Sequence, residues 1–195
     1  MGQRQIESRD ALTIERAADR LGAEAVVDAA QAAFDHAGEL AALEYGRPAA
    51  VLGALRLATR RSRHGPLGRE RIASTFDVDL DRIGDAEADI ASHLTPPADA
   101  DDVRALRRTL IVAQELLAAT ERGHARGLKL PNSYLADEAP WLLGRAYRPL
   151  DHRDDVDRLG LDEDELRAHI DRLEADIELA RLGTKLYALV HANGG

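Results

Sequence analysis

The chain of 195 residues carries a formal net charge of −9, is 45% hydrophobic but only 4% aromatic, and contains no cysteine. That composition excludes disulfides, thiolate nucleophiles and cysteine-based zinc sites. The acidic total weakens nonspecific attraction to nucleic acid, although a local arginine patch can still bind it.

The opening MGQRQIESRD lacks the apolar stretch of a secretory signal. Gly2 is followed at position 6 by Ile, not the Ser or Thr that myristoylation prefers. With no apolar run of membrane-spanning length, a cytoplasmic protein that contacts no membrane is expected. The abundance of Ala and Leu favours closely packed helices in one domain or two small ones. Basic side chains are almost all Arg, with Lys129 and Lys185 the exceptions. A GC-rich or salt-adapted source explains that bias as well as function does.

Apolar spacing at three and four predicts helices over 13–20, 23–37, 48–61, 68–76 and 80–93. Gly22, Gly38 with Gly46, and the Gly65-Pro66 pair punctuate them. The stretch GRERIASTFDVDLDRIG (68–84) has the outline of a helix-turn-helix, with Ile72, Ala73 and Phe76 on one helix, Val78 in the turn, and Leu80 and Ile83 on the next. Asp79, Asp81 and Asp85 on the would-be reading helix are repelled by phosphate, so this pair reads as scaffold. The run HLTPPADADD (93–102) is a boundary, since Pro96 and Pro97 cannot both continue a helix. Beyond it, helices are expected over 101–122, 132–146, 152–159 and 162–181, with a short tail helix near 183–191.

Laid over itself at an offset of 83 residues, the chain shows a gapless internal similarity. Gln31 falls on Gln114, Phe34 on Leu117, Pro48 on Pro131, Pro66-Leu67 on Pro149-Leu150, and Ile83 on Leu166. Two prolines at equal spacing, one within a repeated Pro-Leu pair, point to a duplication. The expected architecture is all-α: two tandem five-helix units, over 12–95 and 101–182, with a short helical tail to 195.

The densest positive patch is RLATRRSRHG, with Arg56, Arg60, Arg61 and Arg63. Clustered Arg groups suit phosphate contact, which positions DNA without reading it; a helix C-terminus favouring cations explains the same cluster without DNA. In the second unit the candidate reading helix opens DEDEL but carries Arg167 and Arg172, with Arg153 and Arg158 on the helix before. Arg suits a guanine edge, so Arg167 with Arg172 are the candidates for sequence preference, and Arg153 and Arg158 are read as further DNA contacts. The alternative for Arg167 is an i,i+4 pair with Glu163 on a solvated helix. Arg104, Arg107 and Arg108 stand at a helix start, where the dipole does not favour cations, and are read as facing the groove between the units or a partner protein.

The seven histidines show no metal spacing, and no metal or cofactor is expected. Glu115, Asp137 and Glu138 could form a carboxylate pair, but no Glu-x-x-His motif accompanies them. Neither an enzyme nor a small-molecule substrate is therefore expected. Trp141 reads as core.

The order of these segments resembles the paired cyclin-fold core of archaeal transcription initiation factor B, the relative of eukaryotic TFIIB. AADRLG (17–22) with AVVDAAQAAF (25–34) resembles the opening of that core, and YGRPAAVLGALRLATRR (45–61) its Gly-Arg-Ser segment and Ala-rich central helix, with Pro48 in place of Ser. IASTFDVDLDRIG (72–84) is similar to the family's Val-Asp turn and Ile-Gly, although Asp85 stands where an Arg is usual. Leu130-Pro131 and DVDRLGLDEDELRAHI (155–170) are looser counterparts in the second unit; Leu166 and Arg167 match the family's Ile-Arg, while Ala168 and His169 replace an Asn-Arg pair. The resemblance implies two cyclin-like units, contact with TATA-binding protein and promoter DNA, and a shortened regulatory paralogue without the family's zinc ribbon. The alternative is a cyclin-like protein-binding module that does not touch DNA.

Overall fold

The computed structural model describes residues 12–63, 65–121 and 163–192. The described residues are all-α: every regular element among them is helical. The chain divides into two compact units, residues 1–98 with 179–195 and residues 99–178.

The first unit opens with α1 (Ile14–Leu21), whose N-cap Thr13 accepts a 3.3 Å hydrogen bond from the Arg16 amide. That bond satisfies one of the donors a helix start leaves unpaired. Gly22, at φ 65°, closes the helix in the left-handed conformation that a glycine adopts at little cost. A short 3₁₀ turn (Glu24–Val26) leads into α2 (Val27–Ala33), a π-helical turn (Phe34–Gly38) and α3 (Glu39–Tyr45).

Gly38 does not interrupt this run, contrary to the break expected there. The backbone widens to a π turn and continues helical to Tyr45. The reason is steric: a Cβ at Gly38 would lie 2.3 Å from the Phe34 ring, so the missing side chain makes room for the aromatic face. Of the two glycines expected to break the helix here, only Gly46 does so, at φ 86°.

Helix α4 (Arg47–Arg61) is the axis of this unit. Pro48 occupies its first turn, where a missing N–H costs no hydrogen bond. From Ala49 to Leu55 every residue is buried, and Leu57 and Ala58 follow. A helix apolar on all sides must be surrounded, and α4 packs against α1, α2, α3 and α6 (Leu80–Ser92). Gly53 permits a close approach to α6: a Cβ there would sit 2.8 Å from the Glu87 backbone nitrogen.

The helix-turn-helix outline is realised by α5 (Arg69–Phe76), a left-handed Asp77 at φ 53°, and α6. Ile72 and Ile83 are fully buried and join the two helices to the core. Asp79 is the α6 N-cap, its carboxylate accepting from the Asp81 and Arg82 amides at 2.8 and 3.3 Å.

The C-terminal helix α9 (Thr184–Ala192) returns to this unit. Its Leu186, together with Leu182, belongs to the same core as Leu52 and Ile83. The expected layout attaches this tail to the second unit, over 101–182 with the tail to 195. Gly183, at φ 76°, makes the turn, and its Cα lies so close to the Thr95 carbonyl that a Cβ would come within 2.4 Å of it. The Ala98 amide donates to the Ala180 carbonyl at 2.7 Å, fixing the same junction.

In the second unit, α7 (Ala100–Glu121) and α8 (Glu163–Leu182) contribute a smaller core of Ala113, Ile170 and Leu173, flanked by Leu106, Leu110 and Leu117. Helices expected over 132–146 and 152–159 lie outside the described residues.

Candidate functional site: an arginine-lined concavity

On α4, Arg56 and Arg60 are separated by one helical turn. Two cations at i and i+4 repel each other, and a third charge resolves the conflict. Glu87 on α6 is buried to 3% exposure and forms ion pairs with both. Its Oε2 pairs with Arg56 Nη1, and its Oε1 accepts from Arg60 Nη1 at 2.8 Å. The packing of α4 on α6 through Gly53 is what brings the carboxylate within reach.

The two pairs sit in different environments. The Arg56 side chain is 14% exposed and that of Arg60 56%. Burial, with Arg60 and Arg69 nearby, holds the Arg56 guanidinium below its ordinary pKa. Its Nε is buried and finds no hydrogen-bond partner among the described residues. Glu70 also acts on Arg56 through space, but Glu87 is the one carboxylate paired directly with both α4 cations.

Around this pair lies a cavity of about 330 Å³, lined by Arg56, Arg60, Arg61, Arg69, Gly84 and Glu87 among others. Arg69 enters from the first turn of α5, where the helix dipole gives a cation no support. Its guanidinium reaches the Gly84 position, where a Cβ would lie 2.9 Å from Nη1. Four arginines and one glutamate therefore line a single concavity in a chain whose net charge is −9.

Arg61 has a different task. It is 7% exposed and donates from Nη1 to the Leu182 carbonyl at 2.7 Å and the Thr95 carbonyl at 3.1 Å. Burial and neighbouring Arg60 depress its pKa. Those bonds cap the C-terminus of α8 and tie the returning chain to the first unit. Arg63 is exposed beyond the end of α4.

The other candidate cations are placed apart from this cluster in the sequence of elements. Arg167 on α8 bonds Glu121 at 2.9 Å, Glu163 at 3.0 Å and Asp164 at 3.2 Å, so its fork is committed within the second unit. The bonds to Glu121 and Glu163 raise its pKa. Arg172 donates through Nε to the Ala168 carbonyl of its own helix at 3.1 Å. Arg104 pairs with Asp101, while Arg107 and Arg108 are exposed on the same helix. Arg153 and Arg158 lie outside the described residues.

Sequence reasoning missed Glu87 and Arg69. A signal for Glu87 was present: it stands between Ile83 and Ile90 at helical spacing, on the apolar face of α6. A carboxylate on a buried face requires a cationic partner, and the i,i+4 arginines of α4 required an anionic one.

Among the described residues no group of three or more His, Asp or Glu is placed to hold a metal ion. No described helix is long and apolar enough to cross a membrane. Comparison with known proteins returns no match to a family model, to a curated protein or to a solved structure.

Proposed function

We propose that the protein is a non-catalytic, initiation-factor-B-like component of transcription that contacts duplex promoter DNA through backbone phosphates and binds TATA-binding protein. The observation that carries the reading is the Arg56, Arg60, Arg61 and Arg69 cluster, concentrated in one concavity of an acidic chain. A local positive field of this kind attracts a polyanion even when the total charge is negative. A central apolar helix ringed by others, as α4 is, supports a cyclin-like first unit, and the 83-residue internal offset supports a second one. In this reading phosphate contact is made from the first unit's rim, by Arg60, Arg63 and Arg69. Arg167 contributes little, because three carboxylates already hold it.

A protein-binding module without DNA contact is the second reading, favoured by Leu40 and Leu43, which are 56% and 87% exposed on the outer face of α3. Two exposed leucines one turn apart give α3 a small apolar patch that a partner could bury. A mobility shift on a TATA-containing duplex, with and without TATA-binding protein at stated salt, separates the two. A DNA-dependent ternary complex supports the first; no shift at any salt, with a stable complex between the protein and TATA-binding protein alone, supports the second.

A further inference from the structure

We infer that the concavity between α4, α5 and α6 seats a single phosphate group, gripped by Arg56, Arg60 and Arg69. This deepens the reading of the cluster as phosphate-binding and rests on it.

Valence favours such a ligand. Arg56 and Arg60 each commit Nη1 to Glu87. A guanidinium carries five N–H donors in a planar fork, so Arg60, whose side chain is 56% exposed, keeps donors for an incoming oxyanion. Arg69 has no ion-pair partner among the described residues and faces the same cavity from another helix. Phosphate, with several oxygens around one centre, can bridge donors that arrive from two elements; a carboxylate, planar with two oxygens, has already been supplied by Glu87.

The shape of the concavity favours it too. A cavity of about 330 Å³ accommodates a phosphate together with the group that bears it. Buried Glu87 forms part of its lining and orients two of the arginines from within the core, so the seat exists before the ligand arrives. Preorganised donors of this sort lose little entropy on binding.

A phosphomonoester and a backbone phosphate of DNA share this chemistry, and the test separates them. Intact protein is titrated with inorganic phosphate at constant ionic strength, with chloride as the balancing anion, while backbone and arginine side-chain NMR signals are followed. Saturable shifts should appear at residues 84–88 and on the Arg60 and Arg69 side chains. Arg60→Ala and Arg69→Ala, both solvent-facing and so expected to fold, should each weaken the response about tenfold or more, as expected for a lost charge-assisted hydrogen bond.

A duplex without terminal phosphates that competes with inorganic phosphate would assign the seat to the DNA backbone. Competition only by a 5′-phosphorylated oligonucleotide would assign it to a phosphomonoester. No saturable shift at these residues, or an undiminished shift in Arg69→Ala, overturns the inference even if duplex DNA still binds elsewhere. Phosphate seating without any duplex binding leaves the inference standing and removes the DNA reading.

Discussion

Replacing Glu87 by Gln should destabilise the first unit by about 2–3 kcal/mol. The figure follows from the unequal burial of its two partners. Removing one member of a buried pair costs about 3–5 kcal/mol, because the other charge is left desolvated. Arg56 at 14% side-chain exposure, facing Glu87 at 4%, approaches that limit. Arg60, at 56%, is screened by solvent, so its pair adds at most about 1 kcal/mol. Gln retains a carbonyl acceptor that still receives one guanidinium bond, which returns part of the loss. The remaining cost lowers the melting temperature by about 10 °C for a unit of this size. Urea unfolding followed by far-ultraviolet circular dichroism measures the change, urea being uncharged and so leaving the ion pair unscreened. Hydrogen exchange of the α4 and α6 amides assigns the loss to the first unit. Arg56→Met combined with Glu87→Leu should recover much of the stability, since an apolar pair needs no desolvation of charge. A Glu87→Gln variant within about 0.5 kcal/mol of the parent would refute the reasoning, because a surface pair behaves that way.

Three further substitutions probe the packing that positions the site. Gly53→Ala places a methyl 2.8 Å from the Glu87 amide nitrogen, so despite a gain in helix propensity of about 1 kcal/mol it should be net destabilising by about 1–2 kcal/mol in urea unfolding. Gly183→Ala meets both a left-handed φ of 76° and the Thr95 carbonyl; α9 amides should lose exchange protection ahead of those of α4. Asp79→Ala removes the α6 cap and should cost about 1 kcal/mol, readable as a lower urea midpoint with an unchanged slope.

Much of the helical layout was legible because apolar periodicity and caps are local signals. The observed α4, α5 and α6 start and stop within a residue or so of the expected positions. Gly38 misled because its role is tertiary: it receives the Phe34 ring, and a single sequence does not reveal which glycine faces an aromatic. The return of Leu182 and Leu186 to the first unit's core was likewise hidden, since an apolar tail helix fits either unit by periodicity alone. At the candidate site, the arginines of α4 were visible as a cluster, but their division of labour was not. Arg61 is held by carbonyls 34 and 121 positions away in the sequence. Its burial depends on where α8 ends. Glu87 was within reach of inference, as an acidic residue at an apolar position opposite two repelling cations.

The salt dependence of duplex binding tests the central claim most directly. Fluorescence anisotropy of a labelled duplex, measured over a series of potassium chloride concentrations, gives the slope of log affinity against log salt. The account predicts binding that weakens linearly with log salt. In Arg60→Ala/Arg69→Ala the slope should fall by about one unit, because both arginines serve one phosphate, while Arg167→Ala leaves it unchanged. Absence of binding at the lowest salt, or a slope unaltered by removing both arginines, would contradict it.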